Sequence, residues 1–292
     1  MLKLSGIRLT NTGGYMPVIE ALQSTPAARV EQKRREEVER KRREEMEQKR
    51  LEEEKRTKRR EEEGRQRALA AVMEALSEDT EKGDIEAVAA TMRANSGDAE
   101  VQQRACRALS SLASDTNQEK KARAGKAGAV EAVAAAMRAH SGHAEVQLRA
   151  CQALVNLASG TNEENITRAG KAGAVEAVAA AMRAHSGHAE VQLRACQALA
   201  NLASGTNEEN STRAGKAGAV EAVAAAMRAH SGHAEVQQQA CWALFNLAFK
   251  SEENKSRAGK AGATTAAKAA LKAHAKNEEV VKGAQTLIKQ LG

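Results

Sequence analysis

From about residue 83 onward, apolar positions fall at helical spacing, and the same set of positions keeps returning along the chain. The segment AGKAGAVEAVAAAMRAHSGHAEVQLRACQAL begins at Ala124 and again at Ala169, and most of it returns at Ala214. Between the units that start at Ala124 and Ala169, only Val155/Ala200 and Ile166/Ser211 differ. A weaker copy runs from Gly83, and a degraded one, one residue shorter in register, follows from Ala258. Each unit predicts three helices. The first starts at a capping box, Thr161-Asn162-Glu163-Glu164, matched by Thr116 to Glu119 and Thr206 to Glu209. Gly170 and Gly173 then permit a sharp corner. The second helix buries Val130, Val133 and Met137, and the third, from about Glu145 to Ala158, turns Val146, Ala150, Leu154 and Leu157 inward. No single unit can bury such faces alone, whereas stacked neighbours can.

The pattern upstream is different. Between Arg29 and Arg67 almost every residue is Glu, Arg, Lys or Gln, and Glu repeatedly precedes a base by four positions: Glu31–Arg35, Glu36–Arg40, Glu37–Lys41, Glu45–Lys49, Glu52–Arg56, Glu54–Lys58. Such pairs support a continuous helix. Val38, Met46 and Leu51 keep no 3.5-residue spacing, so a lone charged arm is predicted rather than a coiled coil. Ala68 to Leu76 carries an apolar face that predicts a cap on the first repeat. The expected organisation is an irregular segment over 1–28, the arm over 29–67, a capping helix and link over 68–82, and the repeats over 83–292.

Composition narrows the fold class. Aromatic residues make up 1 % of the chain and Ala dominates the apolar remainder, which suits closely stacked helices rather than a sandwich or barrel. The net charge of +7 is distributed among interleaved acids, so it forms no concentrated polyanion surface by itself. Cys106, Cys151, Cys196 and Cys241 recur once per repeat inside apolar faces, which reads as small buried residues in a reducing compartment rather than a disulfide frame. No run approaches a membrane span, so membrane insertion is not expected. Residues 1–28 hold Lys3 and Arg8 with no acid before Glu20, faintly like a transit peptide, but Gly6, Gly13 and Gly14 interrupt an amphipathic helix. The expected location is intracellular and cytoplasmic, with cytoskeletal and nuclear sites as alternatives.

GAVEAVAAAMRAH followed by EVQLRACQALVNLASGTNEEN resembles the armadillo repeat, with its Gly-Ala turn and its ALxNLA third helix; the resemblance covers about Gly83 to Gly292. Protist and algal armadillo arrays, the vacuolar armadillo protein and the armadillo region of leucine-rich-repeat kinases are the most similar in flavour. It implies an all-α, right-handed α-solenoid of three-helix repeats, about four units plus a degraded end, whose third helices line a concave groove. In that family a Trp-x-x-x-Asn pattern lets the Asn amide, both donor and acceptor, bind the backbone of an extended peptide. The matching Asn positions here are Asn156, Asn201 and Asn246, with Ser111 before and Gln290 after. The Trp positions hold Gln152, Gln197 and Trp242, flanked by Arg107 and Thr286. The aromatic column is therefore mostly missing, which sets the sequence against karyopherin-like cargo binding. The alternative for the Asn ladder is a hydrogen bond to a neighbouring helix or loop. Trp242, Phe245 and Phe249 share one helix face; the two Phe are assigned to the core and Trp242 to the groove.

Two further columns carry candidate chemistry. The HSGH pairs His140/His143, His185/His188 and His230/His233 offer only two metal ligands each, and Asp98 and Asn277 in the second position mark it as a helix cap, so no metal is expected. Lys126, Lys171, Lys216 and Lys260, beside Arg123, Arg168, Arg213 and Arg257, form a basic edge at the ends of the first helices. That edge could attract an acidic segment or a phosphate backbone, yet nucleic acid is not expected without stacking aromatics. No phosphate loop, dinucleotide fingerprint or nucleophile elbow occurs, so neither a catalytic residue nor a cofactor is expected. The sequence points to a non-enzymatic scaffold or adaptor that holds a protein or peptide. The alternative is a structural spacer in a cytoskeletal, flagellar or other large assembly.

Overall fold

Fifteen helices and no strand make up the residues described by the computed structural model, which are 26–114, 118–159, 162–204 and 207–292. The irregular segment expected at the start falls almost wholly outside them, as do Thr116, Thr161 and Thr206 of the expected capping boxes. Helix α1 is Pro26–Lys82. It begins three residues before the predicted arm, with proline at its first position, where a missing N–H costs nothing. The chain divides into two units, Met1–Ala68 and Leu69–Gly292.

The first unit is held by local charge. Glu31–Arg35, Glu37–Lys41 and Glu54–Lys58 pair as the spacing predicts, while Arg40 takes Glu44 instead of Glu36. Lys41 and Lys58 hold the Glu37 and Glu54 carboxyls below their ordinary range by direct hydrogen bonds and charge. Val30, Val38, Met46 and Leu51 are exposed on this helix.

The second unit is the solenoid. Its opening turns, through buried Leu76, join one continuous core with Ile85, Val88 and Met92. The weaker copy contributes α2 (Ile85–Ala94) and α3 (Ala99–Leu112). Three full units follow: α4–α6 (Gln118–Lys126, Ala129–Ala139, Ala144–Leu157), α7–α9 (Glu163–Lys171, Ala174–Ala184, Ala189–Leu202) and α10–α12 (Glu208–Lys216, Ala219–Ala229, Ala234–Ala248). The degraded end is α13–α15 (Glu252–Lys260, Ala263–Ala273, Glu278–Leu291). Val130, Val133, Met137, Val146, Ala150, Leu154 and Leu157 are all buried, so both predicted apolar faces point inward. Third helices pack on third helices along the stack, α3 on α6, α6 on α9, α9 on α12 and α12 on α15.

The corner between first and second helices needs one glycine, not two. Gly128, Gly173, Gly218 and Gly262 take φ of 77°, 75°, 74° and 74°, a left-handed conformation that side chains disfavour. Gly170 is instead helical, and its reason lies in the next repeat: a Cβ there would run into the Asn210 side chain. The first-helix cap is also displaced by one residue from the expected threonine. Asn162 Oδ1 accepts from Asn165 N at 3.1 Å, and Asn207 does the same for Asn210 N at 3.0 Å.

Candidate functional site

The third helices present one half-exposed stripe each, at i, i+3 and i+7 spacing: Arg149, Gln152 and Asn156 on α6, Arg194, Gln197 and Asn201 on α9, Gln239, Trp242 and Asn246 on α12. Because these helices stack directly, the stripes lie side by side and form one surface across the solenoid. The three Asn positions are thus brought into a row, and so are the three positions before them.

Each Asn is tied to the preceding repeat. Asn201 Nδ2 donates to Val155 O at 3.0 Å and Asn246 Nδ2 to Ala200 O at 2.8 Å. Asn156 Nδ2 donates to Ser110 O and Ser110 Oγ, at 2.8 and 3.0 Å. The second Nδ2 hydrogen of Asn201 and Asn246 and the Oδ1 of all three have no hydrogen bond among the described residues. Gln197 Oε1 accepts from Arg194 Nη1 at 2.9 Å. Trp242 is half-buried against the core, and its ring meets Phe245 edge-on with centroids 6.0 Å apart.

Phe249 is not core, contrary to the sequence expectation. The helix ends at Ala248, and Phe249 follows in an extended conformation with φ −64° and ψ 123°, 42 % exposed. Leaving the helix turns its ring out, where Lys250 Nζ sits 5.5 Å from its centroid. Phe245 is half-buried and packs against the core.

The basic edge divides into two parts. Lys126, Lys171, Lys216 and Lys260 are exposed and end the first helices, where a cation suits the helix dipole. The arginines beside them are neutralised across the repeat boundary. Arg168 meets Glu164 at 2.7 Å and Glu131 of the previous second helix at 3.5 Å; Arg213 and Arg257 repeat this with Glu209 and Glu176, and with Glu253 and Glu221. The hydrogen bonds from Arg168 and Arg213 hold the Glu164 and Glu209 carboxyls below the usual range.

The histidine pairs split their roles differently from the expected cap. His143 stands at the N-cap of α6 but its ring makes no capping bond, whereas Asp98 and Asn277 in the same place do cap. His140, His185 and His230 are buried, and each Nε2 contacts a serine carbonyl of the preceding repeat (Ser96, Ser141, Ser186) at 2.9, 2.8 and 2.7 Å. No cluster of three or more His, Cys, Asp or Glu near enough to hold a metal occurs among the described residues. All four cysteines are buried and free.

Sequence reasoning missed the buried amides that join repeats. Asn210 Nδ2 donates to Ile166 O and Leu202 O at 3.0 and 2.9 Å, and Asn165 and Asn254 make the equivalent bonds. Gln147 Nε2 donates to Met137 O and His140 O at the end of α5, satisfying carbonyls a helix terminus leaves open. The available signal was a polar residue recurring inside an apolar face.

The Armadillo/beta-catenin-like repeat family model matches residues 207–249. An engineered protein of known structure is 32 % identical, covering 75 % of this chain and 83 % of its own, with a TM-score of 0.61. A designed armadillo repeat protein in complex with the peptide (KR)4 is 29 % identical, covering 78 % and 92 %, with a TM-score of 0.60. A structure from work on the phosphorylation-controlled interaction between cadherin and β-catenin shares the fold at 20 % identity and a TM-score of 0.62, over 74 % of this chain and 39 % of that one. Comparison with curated proteins gave no match. No described helix is long and apolar enough to cross a membrane.

Proposed function

The chain belongs to the armadillo repeat family, and on that premise we propose that it is a non-enzymatic adaptor whose third-helix surface holds an extended peptide segment of a partner protein. The observation that carries this reading is the row of half-engaged amides at Asn156, Asn201 and Asn246. A bond to the preceding repeat fixes each amide plane, and the remaining acceptor faces an incoming backbone already oriented. Such pre-organisation lowers the ordering cost of binding. With repeats about 10 Å apart and about 3.3 Å per extended residue, three amides span roughly six to nine residues. Trp242 adds a half-buried aromatic surface, a common kind of anchor. A designed relative at 29 % identity binds the peptide (KR)4, which supports peptide capture on this scaffold without fixing its sequence.

Replacing Asn201 and Asn246 with Ala is expected to abolish enrichment of random dodecapeptides displayed on phage, and Trp242→Ala to weaken it. Thermal melts of each variant separate lost binding from lost folding. Undiminished enrichment by a folded double variant would remove the groove reading.

A second reading, a spacer in a larger assembly, is favoured by one observation, the exposed and charge-paired helix upstream of the solenoid. At about 1.5 Å per residue, the charged stretch 29–67 spans roughly 60 Å. Deleting residues 29–67 is then expected to displace the protein from its cellular structure while the solenoid melts unchanged. Normal placement after deletion counts against the spacer.

A further inference from the structure

The stripe that carries the Asn row also carries a line of arginines, one in each of the first three third helices. Arg104 on α3, Arg149 on α6 and Arg194 on α9 occupy the same position in successive third helices, and Arg107 adds a second cation one turn along α3. Arg149 and Arg194 stand seven residues before Asn156 and Asn201, about 10 Å along the helix, within the joint reach of an arginine and a peptide carboxylate.

Their present partners leave them open to exchange. Among the described residues Arg104 and Arg149 meet only the first-turn glutamates of their own helices, Glu100 at 3.0 Å and Glu145 at 3.5 Å, and all but Arg149 in these two pairs are well exposed. Exposed pairs of this kind hold weakly. Arg194 has only the neutral Gln197 oxygen, and Arg107 has no carboxylate partner among the described residues. The Nε atoms of Arg149 and Arg194 are buried without an acceptor. A carboxylate can engage such a guanidinium through Nε and Nη together once the side chain turns its Nε edge outward. Arg104 and Arg107 also border a cavity of about 270 Å³ between the end of α1 and α3, lined by Met73, Leu76 and Glu81 among others.

We propose that the groove takes an acidic peptide, with Asp or Glu side chains set against Arg104, Arg107, Arg149 and Arg194 while the Asn row holds its backbone. This rests on the peptide-groove reading above and names its ligand class. A basic peptide meets like charge here, and Gln152 and Gln197 supply no aromatic walls for lysine or arginine stems. A nucleic acid would meet arginines without the aromatic platforms on which bases stack, since Trp242 and Phe245 lie beyond the arginine row.

The test is fluorescence anisotropy with a labelled alternating Glu–Asp octapeptide, against an alternating Lys–Arg octapeptide, a Gly–Ser octapeptide and oligodeoxythymidine. The acidic peptide is expected to bind at least about tenfold tighter than the other two peptides, and to weaken as salt rises. Arg107→Glu with Arg194→Glu should remove that preference without moving the thermal melt; replacing Lys126, Lys171, Lys216 and Lys260 with Gln should leave it intact. Equal binding of the Lys–Arg or Gly–Ser peptide, lost with Asn201→Ala and Asn246→Ala, overturns the charge inference and leaves the groove standing. Tighter binding of oligodeoxythymidine at the same arginines, or loss of the acidic peptide only in the lysine variant, also overturns it. Binding of no peptide removes both readings.

Discussion

Gly170→Ala is expected to destabilise the solenoid by about 2–4 kcal/mol, although alanine is the better helix former by about 1 kcal/mol. Gly170 lies in the last turn of α7, and its Cα faces the side chain of Asn210 on α10. That side chain is 2 % exposed and cannot retreat without breaking its bonds to Ile166 O and Leu202 O. Asn210→Ala alone should cost a similar amount, about 2–4 kcal/mol, because two buried carbonyls lose a donor. The pair should not add. Once Asn210 is Ala, the space against Gly170 opens, and Gly170→Ala becomes neutral or favourable by up to about 1 kcal/mol. The molecule supplies its own control in Gly259, the equivalent residue of the last described unit, where a Cβ would meet nothing within 4 Å. Gly259→Ala should therefore be neutral or stabilising. Urea unfolding midpoints with an unchanged slope read all four variants. Additive costs, or a penalty at Gly259 equal to that at Gly170, would show that the glycine answers to local backbone and not to the next repeat.

That contrast explains what was legible in the chain. Val130, Val133 and Met137, and Val146, Ala150, Leu154 and Leu157, could be read because burial along a helix repeats locally, at 3.6 residues per turn. Gly170 was misread as part of a corner because the atom that forbids its Cβ lies forty residues later in sequence. The cap at Asn162 rather than Thr161 turns on one residue between two good capping types, a choice local pattern does not make. Phe249 obeyed the helical spacing of a core residue, but the helix had already ended. The Asn row was visible as a column; its bonds to Ser110, Val155 and Ala200 were not, since they cross between copies.

The polar bonds between repeats share one origin. Arg138 Nη1 donates to Ala172 O at 2.6 Å, His140 contacts Ser96 O, and Asn210 reaches Ile166 O, each linking a unit to its neighbour. A duplicated unit keeps such bonds automatically, because donor and acceptor are copied together. Recurrence of these bonds therefore follows from duplication alone, and it is why the peptide reading needs the unengaged half of each amide rather than the repetition itself. Stability in such a stack is a sum over repeats and interfaces, so the cost at Gly170 should concentrate at the boundary between α7 and α10.

The four thiols should be inert in the folded chain and should set its alkaline limit. Cys106, Cys151, Cys196 and Cys241 are 0 % exposed, and burial pushes the thiols of Cys106, Cys151 and Cys241 up to about 12 from 9.0, with Cys196 raised as well. At about pH 8 such a rise cuts the thiolate fraction roughly a thousandfold, and the thiolate is the reactive form. A chromogenic disulfide reagent should therefore find almost no thiol in the native protein and all four after denaturation. The linked stability has a definite sign. A thiol raised above its unfolded value favours folding in its neutral form, so its contribution is complete below about pH 9 and is lost as pH rises toward about 12. At about 1.4 kcal/mol for each tenfold change in proton affinity, that window amounts to at most about 4 kcal/mol for each thiol. The native chain should consequently unfold cooperatively within it, and replacing all four cysteines with Ala should move the transition to higher pH at some cost in neutral-pH stability. The two proteins differ only at the four thiol positions, so the difference isolates the thiols. An alkaline transition at the same pH in both, or rapid native labelling of even two cysteines, would contradict the buried column.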